Sequence, residues 1–363
     1  MRLNKLTLRD FRNYENQTAD LSPGVNVLLG RNAQGKTNFL EAVSCLSDGK
    51  SFRTRHDREL IRIGRETAYL EGQSVARGRE HVLSLTLRLG RKKEMTQNGS
   101  KVKSLSPYLA TVVFRPEDLE LIGDGAAVRR KFLDRAIGQL RPKYAEAVDE
   151  YARVYEHKTR ILRDGAEKPS LYEALPDFNR RLCQLGTVII RYRAFYVEKL
   201  AEKAARAHSE LSGGRERLEI RYETVTGVTG LSTREEVYGA LSSRLSELAD
   251  SELASRSCLT GPHKDELAVS IDSLNARVFA SQGQRRTAAL SLKLAEREIL
   301  AEALGETPVL LLDDVLSELD ADRQDYVLRG LGESQILITC AGEPPKGLRG
   351  LYTLYVEGGQ IRA

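Results

Sequence analysis

Tryptophan is absent from the 363 residues, aromatic side chains make up only 6%, and there are just four cysteines. So few aromatics disfavour a reader of unstacked bases, which needs stacking platforms. Contacts to duplex phosphates suit this composition better. Cys45, Cys183, Cys258 and Cys340 stand far apart, with neither metal-ligand nor redox spacing. They read as small buried hydrophobes. No apolar run approaches the length that spans a bilayer. The opening residues Met1-Arg2-Leu3-Asn4-Lys5-Leu6 alternate like a strand and lack the apolar block and cleavage site of a signal peptide. A cytoplasmic location with no membrane partner is expected. Internal repeats are also missing.

What is present is ordinary for a globular chain, with 41% hydrophobic and 29% charged residues, and the length suffices for two compact units. The formal net charge is +5. That mild basic bias permits an anionic partner such as nucleic acid.

The strongest motif is Gly30-Arg31-Asn32-Ala33-Gln34-Gly35-Lys36-Thr37, which fills the P-loop pattern completely. In such a loop backbone N–H groups cradle phosphates, Lys36 reaches the β and γ oxygens, and the Thr37 hydroxyl ligates Mg²⁺. The context agrees. An apolar strand, Val25 to Leu29, precedes the loop, and a helix starts at Lys36 and runs on through Phe39 to Leu46. The second motif is Val309-Leu310-Leu311-Leu312-Asp313-Asp314, a buried strand ending in acids. Asp313 is placed to hold Mg²⁺, and Asp314 to polarise an attacking water. ATP and Mg²⁺ are the expected cofactors.

The two motifs stand at opposite ends of the sequence yet must meet in one site. The expected fold is therefore an α/β P-loop ATPase domain split into residues 1–116 and 259–363, with a mainly helical arm inserted at 117–258. The first part reads as strand-rich, with alternating segments at Leu3–Phe11 and Val82–Leu89, a hairpin signal at Asn98-Gly99 and a buried strand at Thr111–Phe114. In the arm, apolar residues recur at helical spacing, as in Ile189, Tyr192, Tyr196 and Leu200. Its helices are expected to be short, interrupted at Pro142, Pro169 and Pro176, with a strand at Leu218–Tyr222 and one further helix over about 235–254. Gly261-Pro262 breaks the chain. Then the α/β pattern returns, with an alternating strand at Leu267–Ile271 and a helix over about 284–303.

Ser281-Gln282-Gly283-Gln284 opens that helix, one helix length before the acidic strand. ATPases of the ABC class carry their signature loop at this place. The resemblance implies that these residues contact the γ-phosphate bound to a second copy of the chain, aided by the helix N-terminus. Leu211-Ser212-Gly213-Gly214-Arg215 looks more like the common signature, but a strand follows it, so no helix dipole points at a phosphate. Ser317-Glu318-Leu319-Asp320 resembles the D-loop of the class, which would set Asp320 near the dimer interface. Basic residues cluster at Lys50, Arg53, Arg55, Arg58, Arg62 and Arg65, at Arg129-Arg130-Lys131, and at Arg191 and Arg193. As DNA contacts the expected residues are Lys50, Arg53, Arg55, Arg58, Arg129 and Arg130; a merely solvated face would look the same in sequence.

Further segments sharpen the resemblance: Leu8-Arg9-Asp10-Phe11-Arg12-Asn13-Tyr14, Asn32 through Asn38, Ser51-Phe52-Arg53-Thr54, Phe114-Arg115-Pro116-Glu117-Asp118-Leu119, Gly261-Pro262-His263-Lys264-Asp265 and Asp313 through Asp320. Over nearly its whole length the chain resembles the RecF family of bacterial recombination mediators, relatives of SMC heads. The resemblance implies an ABC-type P-loop ATPase head and a nucleotide site drawn from Gly30, Arg31, Asn32, Ala33, Gln34, Gly35, Lys36, Thr37 and Asn38. Ser281, Gln282, Gly283, Gln284 and Asp320 would complete it. Lys36 and Asp314 would be catalytic, and Thr37 and Asp313 would hold the metal. It further implies an ATP-dependent homodimer that clamps duplex DNA or single/double-strand junctions at the nucleoid, weak DNA-stimulated ATPase activity, RecR and RecO as partners, and support for RecA loading at gapped DNA in repair, replication restart and the SOS response. There are departures. Asp314 stands where many ABC ATPases have Glu, neither Thr339 nor Cys340 supplies the switch imidazole, and Pro116-Glu117 lacks the Q-loop Gln. A slow, switch-like ATPase fits these changes better than a fast one. Two alternatives are an ATPase subunit of a membrane transporter and a non-hydrolysing DNA-binding scaffold.

Overall fold

The computed structural model describes residues 1–54, 56–225, 228–229, 232–329, 334–342 and 350–363. In chain order the strands are β1 (Arg2–Phe11), β2 (Tyr14–Asp20), β3 (Val25–Leu29), β4 (Thr67–Ala76), β5 (Arg79–Arg88), β6 (Glu94–Gln97), β7 (Ser100–Lys101), β8 (Thr111–Phe114), β9 (Leu218–Glu223), β10 (Glu266–Ile271), β11 (Leu274–Asn275), β12 (Val309–Asp313), β13 (Ile336–Cys340), β14 (Tyr352–Glu357) and β15 (Gln360–Arg362). The helices are α1 (Lys36–Asp48), α2 (Ala126–Leu140), α3 (Pro142–Asp164), α4 (Leu175–Ser212), α5 (Arg234–Glu247), α6 (Ala249–Ser255), α7 (Ala276–Phe279), α8 (Gln282–Leu304) and α9 (Ala321–Arg329). Packing divides the chain into one unit of Met1–Leu119 with Glu296–Ala363 and another of Glu120–Ala295.

In the first unit two kinds of strand make two sheets. The longer strands β1, β4 and β5 carry most of the apolar pattern of an antiparallel sheet in the order β2-β1-β4-β5-β6-β7. Largely apolar strands form the centre of the other, β15-β14-β3-β13-β12-β8, whose neighbours pair in parallel from β14 to β8. A parallel strand covered on both faces has no solvent side to make polar, which is why β12 reads Val-Leu-Leu-Leu. α1 supplies the packing: Phe39, Leu40, Val43 and Leu46 are fully buried in one core with Leu6 and Leu8 of β1 and Leu28, Leu311 and Leu337 of the parallel sheet. Truncating Phe39 to Ala would cost about 3–5 kcal/mol. That core fixes α1, and with it the loop from which the helix starts.

The second unit holds α2 to α7, the first part of α8, and a small sheet β11-β10-β9. Here the structure departs from the sequence expectation in two ways. Residues 259–295, expected in the ATPase domain, pack in this unit because β10 pairs with β9 from Ile271↔Leu218 to Glu266↔Glu223. Nor are the helices short: α4 runs for 38 residues and α3 for 23. Pro142 and Pro176 sit in the first turns of these helices, where proline lacks no needed N–H, so they start helices instead of breaking them. The helix expected over 235–254 is two, α5 and α6, parted at Leu248.

Within Gly261-Pro262-His263-Lys264-Asp265, the buried Asp265 anchors a polar node of this unit. The Asp265 carboxylate accepts Tyr222, Thr224 (2.7 Å) and Arg193 (3.3 Å), and Arg193 also binds Asp134 and the Pro262 carbonyl. Arg193 is thus a buried structural ion, not part of a basic surface.

Candidate nucleotide-binding site

The P-loop crosses from β3 to α1, and its shape depends on two close approaches. A Cβ at Gly30 would lie 2.2 Å from the Val356 carbonyl oxygen of β14. Gly35 has φ +125, and a Cβ there would meet the Asn13 amide at 2.7 Å. Only glycine fits either place. No side chain caps α1 at Gly35, so the first-turn N–H groups of the helix are left to an anion. Lys36 is buried within the loop, its ammonium donating to the carbonyls of Gly30 (2.5 Å) and Arg31 (2.9 Å).

Thr37, next along α1, donates its hydroxyl to Asp313 Oδ1 at 2.8 Å, across 276 residues of sequence. Thr339 at the end of β13 donates to the same oxygen at 3.0 Å. Burial pushes the Asp313 carboxyl above its ordinary range, the two hydroxyls pull it back, and the charges of Asp314 and Glu117 push it up again. A cation beside Asp313 would relieve both strains. Among the described residues no group of three or more His, Cys, Asp and Glu could hold a metal alone. A hydroxyl and a carboxylate with phosphate oxygens and water nevertheless suit Mg²⁺, which keeps several waters and few protein ligands.

Asp314 is exposed, with a left-handed backbone at φ 55, a conformation Asp tolerates better than most residues. Its amide donates to Thr339 (2.8 Å) and its carbonyl accepts Ser317 (2.7 Å), so the turn is pinned.

A second layer, which the local sequence did not reveal, supports the loop. Asn13 donates to the Gln34 carbonyl (2.9 Å) and accepts from Asn38 (2.8 Å), whose own oxygen accepts Arg53 (2.7 Å). The Tyr14 hydroxyl donates to the Gly35 carbonyl at 2.9 Å. Glu41, fully buried on α1, takes Arg12 on both oxygens (2.8 and 2.9 Å) and Ser51 (2.5 Å). From the far end of the chain, Gly358 and Gly359 donate to Gln34 Oε1 (2.7 Å) and O (3.1 Å). The motif residues Arg12, Asn13 and Tyr14 were visible only as part of a familiar run, because long-range hydrogen bonds leave no periodicity.

Ser281 and Gln284 form a capping box at the start of α8, Gln284 N donating to Ser281 Oγ (3.2 Å) and Ser281 N to Gln284 Oε1 (2.8 Å). Ser281, Gln282 and Gly283 are exposed. Asp320 caps α9, accepting from Arg323 N (2.9 Å) and pairing with the Arg323 guanidinium. Its carboxylate is thus engaged in its own helix. The rival motif at 211–215 is a helix stop: Gly213 takes φ 62, and the amides of Gly213 and Gly214 return to the carbonyls of Glu210 and Ser209.

The basic clusters fare unequally. Arg129 is a correction. It is buried, bidentate to Glu266 at 2.7 Å, and it satisfies the carbonyls of Leu121, Ile122 and Asp124. Arg130 donates to the Asp265 carbonyl at 2.7 Å. Arg53 is tied to Asn38 and lies 3.6 Å from Glu41, while Lys50 and Arg58 are exposed. Arg55 lies outside the described residues. Arg62 and Arg65 pair with Glu15 and Asp10.

Fold and site together define a P-loop ATPase head, split in sequence and assembled by the Thr37–Asp313 contact. Residues 2–344 match the model of the RecF/RecN/SMC N terminal domain. The chain is 39% identical to a DNA replication and repair protein RecF of Listeria innocua, each covered in full, and 35% identical to that of Acetivibrio thermocellus, over 94% of this chain and 93% of the relative. It superposes on the recombination mediator protein RecF of the RecFOR pathway, solved as RecF-ATPrS, with TM-score 0.91 and 35% identity, covering 99% of this chain and 97% of that one. An Smc head domain from Pyrococcus furiosus shares the fold alone, at TM-score 0.52 and 15% identity. The chain belongs to the RecF family of DNA replication and repair proteins.

Proposed function

We propose that this protein is an ATP-switched DNA clamp of recombinational repair and replication restart. The observation that carries the reading is the hydrogen bond from Thr37 to Asp313, which joins a complete P-loop to a buried acidic strand end. Gly30 to Asn38 cradle the triphosphate, Lys36 neutralises its β and γ oxygens, and Thr37 and Asp313 hold Mg²⁺, which supplies further charge neutralisation there. Asp314, exposed on a pinned turn, orients and polarises the attacking water. Ser281 keeps a hydroxyl proton after accepting from Gln284, and it donates that proton to the γ-phosphate held by a second copy. ATP thus closes a homodimer, and weak, DNA-stimulated hydrolysis opens it.

Lys50, Arg53 and Arg58 are the DNA contacts of this reading, on duplexes and single/double-strand junctions. RecR and RecO are the partner proteins, RecA loading at gapped DNA is the outcome, and the place of action is the cytoplasm, at the nucleoid. Full-length likeness to replication and repair proteins supports this over the transporter alternative. Intact Lys36, Thr37 and Asp313 count against a scaffold without hydrolysis. The test is the mass of the purified protein with and without ATP and Mg²⁺. A doubling with both is expected; a mass indifferent to nucleotide overturns the clamp.

A further inference from the structure

The turn after α4 looks like a misplaced signature motif, yet it delivers a carboxylate to the real one. Gly213 and Gly214 stop α4 and turn the chain, so that Glu216 comes back beside the start of α8. There Glu216 Oε1 accepts from Gln284 Nε2 at 3.1 Å. Its other oxygen lies 3.0 Å from Nε2 of His208, a fully buried ring on α4. The Nδ1 of that ring faces Ser291 of α8 at 3.4 Å, one more tie to the same helix.

This contact decides how Gln284 is held. The Gln284 amide has two ends. Its oxygen accepts the Ser281 amide, and its nitrogen is taken by Glu216. With the nitrogen held, the amide cannot flip, and the capping box that orients Ser281 stays closed. We infer that Glu216 is a positioning residue for the signature: acting through Gln284, it presents the Ser281 hydroxyl and the first N–H groups of α8 to a γ-phosphate on a second copy of the chain. The inference rests on the trans-signature reading under Proposed function. It assigns the 211–216 turn a role that its resemblance to a signature concealed.

Glu216 is part-exposed, so its substitution leaves little buried space behind. In the full-length protein, Glu216→Ala should keep ATP affinity within about twofold, because no P-loop contact changes, while weakening ATP-driven dimerisation by about tenfold, the scale of one hydrogen bond to a charged group. Gln284→Ala should cause a similar loss, and the double variant no more than either alone. Glu216→Gln keeps an acceptor oxygen and should restore most of the dimer. Arg217→Ala, highly exposed in the same turn, is the control and should dimerise like the parent. Dimerisation is read by light scattering, and melting without nucleotide is read alongside. Normal dimerisation of Glu216→Ala while Ser281→Arg is monomeric overturns this inference and leaves the signature intact. Normal dimerisation of both overturns the signature as well. Additive losses, or a fall in melting temperature that accounts for the loss, would make Glu216 merely structural and also overturn it.

Discussion

The hydroxyl of Thr339 donates to Asp313 at 3.0 Å, and the same oxygen accepts the amide of Asp314 at 2.8 Å. One side chain therefore holds both the Asp313 carboxylate and the backbone of Asp314, at the position where the ABC class would have its switch imidazole. Thr339→Val keeps the shape and removes both bonds. It should cost about 1–3 kcal/mol by leaving a donor and an acceptor unmet. Hydrolysis should suffer more than ATP binding, since the turn that aims Asp314 is loosened. Single-turnover hydrolysis beside equilibrium ATP binding checks the split; equal losses in both would show that Thr339 does not aim Asp314.

Lys36→Met should abolish ATP binding while leaving the fold intact. Its ammonium is held by two loop carbonyls, whereas the loop's path is set by Gly30, Gly35 and the contacts from Asn13 and Tyr14. Labelled ATP retained as tightly as by the parent would refute the P-loop assignment.

Asp314→Asn preserves size and the pinned backbone but removes the charge that, in the proposed mechanism, polarises the attacking water. The ATP-bound dimer should then outlive that of the parent after free ATP is removed. Identical decay rates would rule out this role.

The basic residues should separate by burial. Lys50→Ala with Arg58→Ala should flatten the log–log salt dependence of duplex binding by roughly 0.9 for each phosphate no longer neutralised, with ATP affinity and stability unchanged. Arg129→Ala should instead cost about 3 kcal/mol of stability, because it strands Glu266 and three carbonyl oxygens. Salt titrations and urea melts distinguish the two; a slope unmoved by Lys50→Ala with Arg58→Ala excludes those residues as phosphate contacts.

Acid should weaken the second unit through His263. Burial, together with Lys264, Arg130 and Lys158, depresses its pKa to about 4, while a hydrogen bond to the Cys258 carbonyl works the other way. In the unfolded chain the ring takes up a proton near its ordinary value of 6.5, before the folded ring does. Stability therefore falls as the pH drops from 6.5 towards 4 and stops falling from this cause below 4, a loss of at most about 3 kcal/mol. Urea midpoints of the parent across that range should fall more steeply than those of His263→Gln. Parallel curves would exclude the histidine as the source.

The elements that carry the nucleotide site were legible because their signals are local. Gly30 to Thr37 has a fixed spacing, β12 is an apolar run closed by Asp313, and α1 follows the loop with the apolar residues Phe39, Leu40, Val43 and Leu46. Other elements hid for physical reasons. β2 is an edge strand with only Tyr14 and Ala19 buried, so it carries almost no apolar pattern. β4 does alternate, but its buried positions include the small residues Gly72 and Ser74, which a hydropathy reading does not count as apolar. Arg129 and Arg193 read as surface charge because composition cannot tell an arginine in solvent from one clamped by Glu266 or Asp134. The 259–295 segment reads as part of the ATPase domain because its alternation says strand without saying beside which strand. Only pairing with β9 decides that.

The brace that Gly358 and Gly359 lay on Gln34 also has a consequence for synthesis. The loop emerges from the ribosome early, while its support lies 324 residues later. β12 and β13, which bring Asp313 and Thr339, likewise follow the inserted unit. A nascent chain that has just made Lys36 has no acidic strand end and no closing hairpin. The Thr37–Asp313 contact therefore forms only after the inserted unit has been made, and in any shorter nascent chain the P-loop has no acidic strand end to meet.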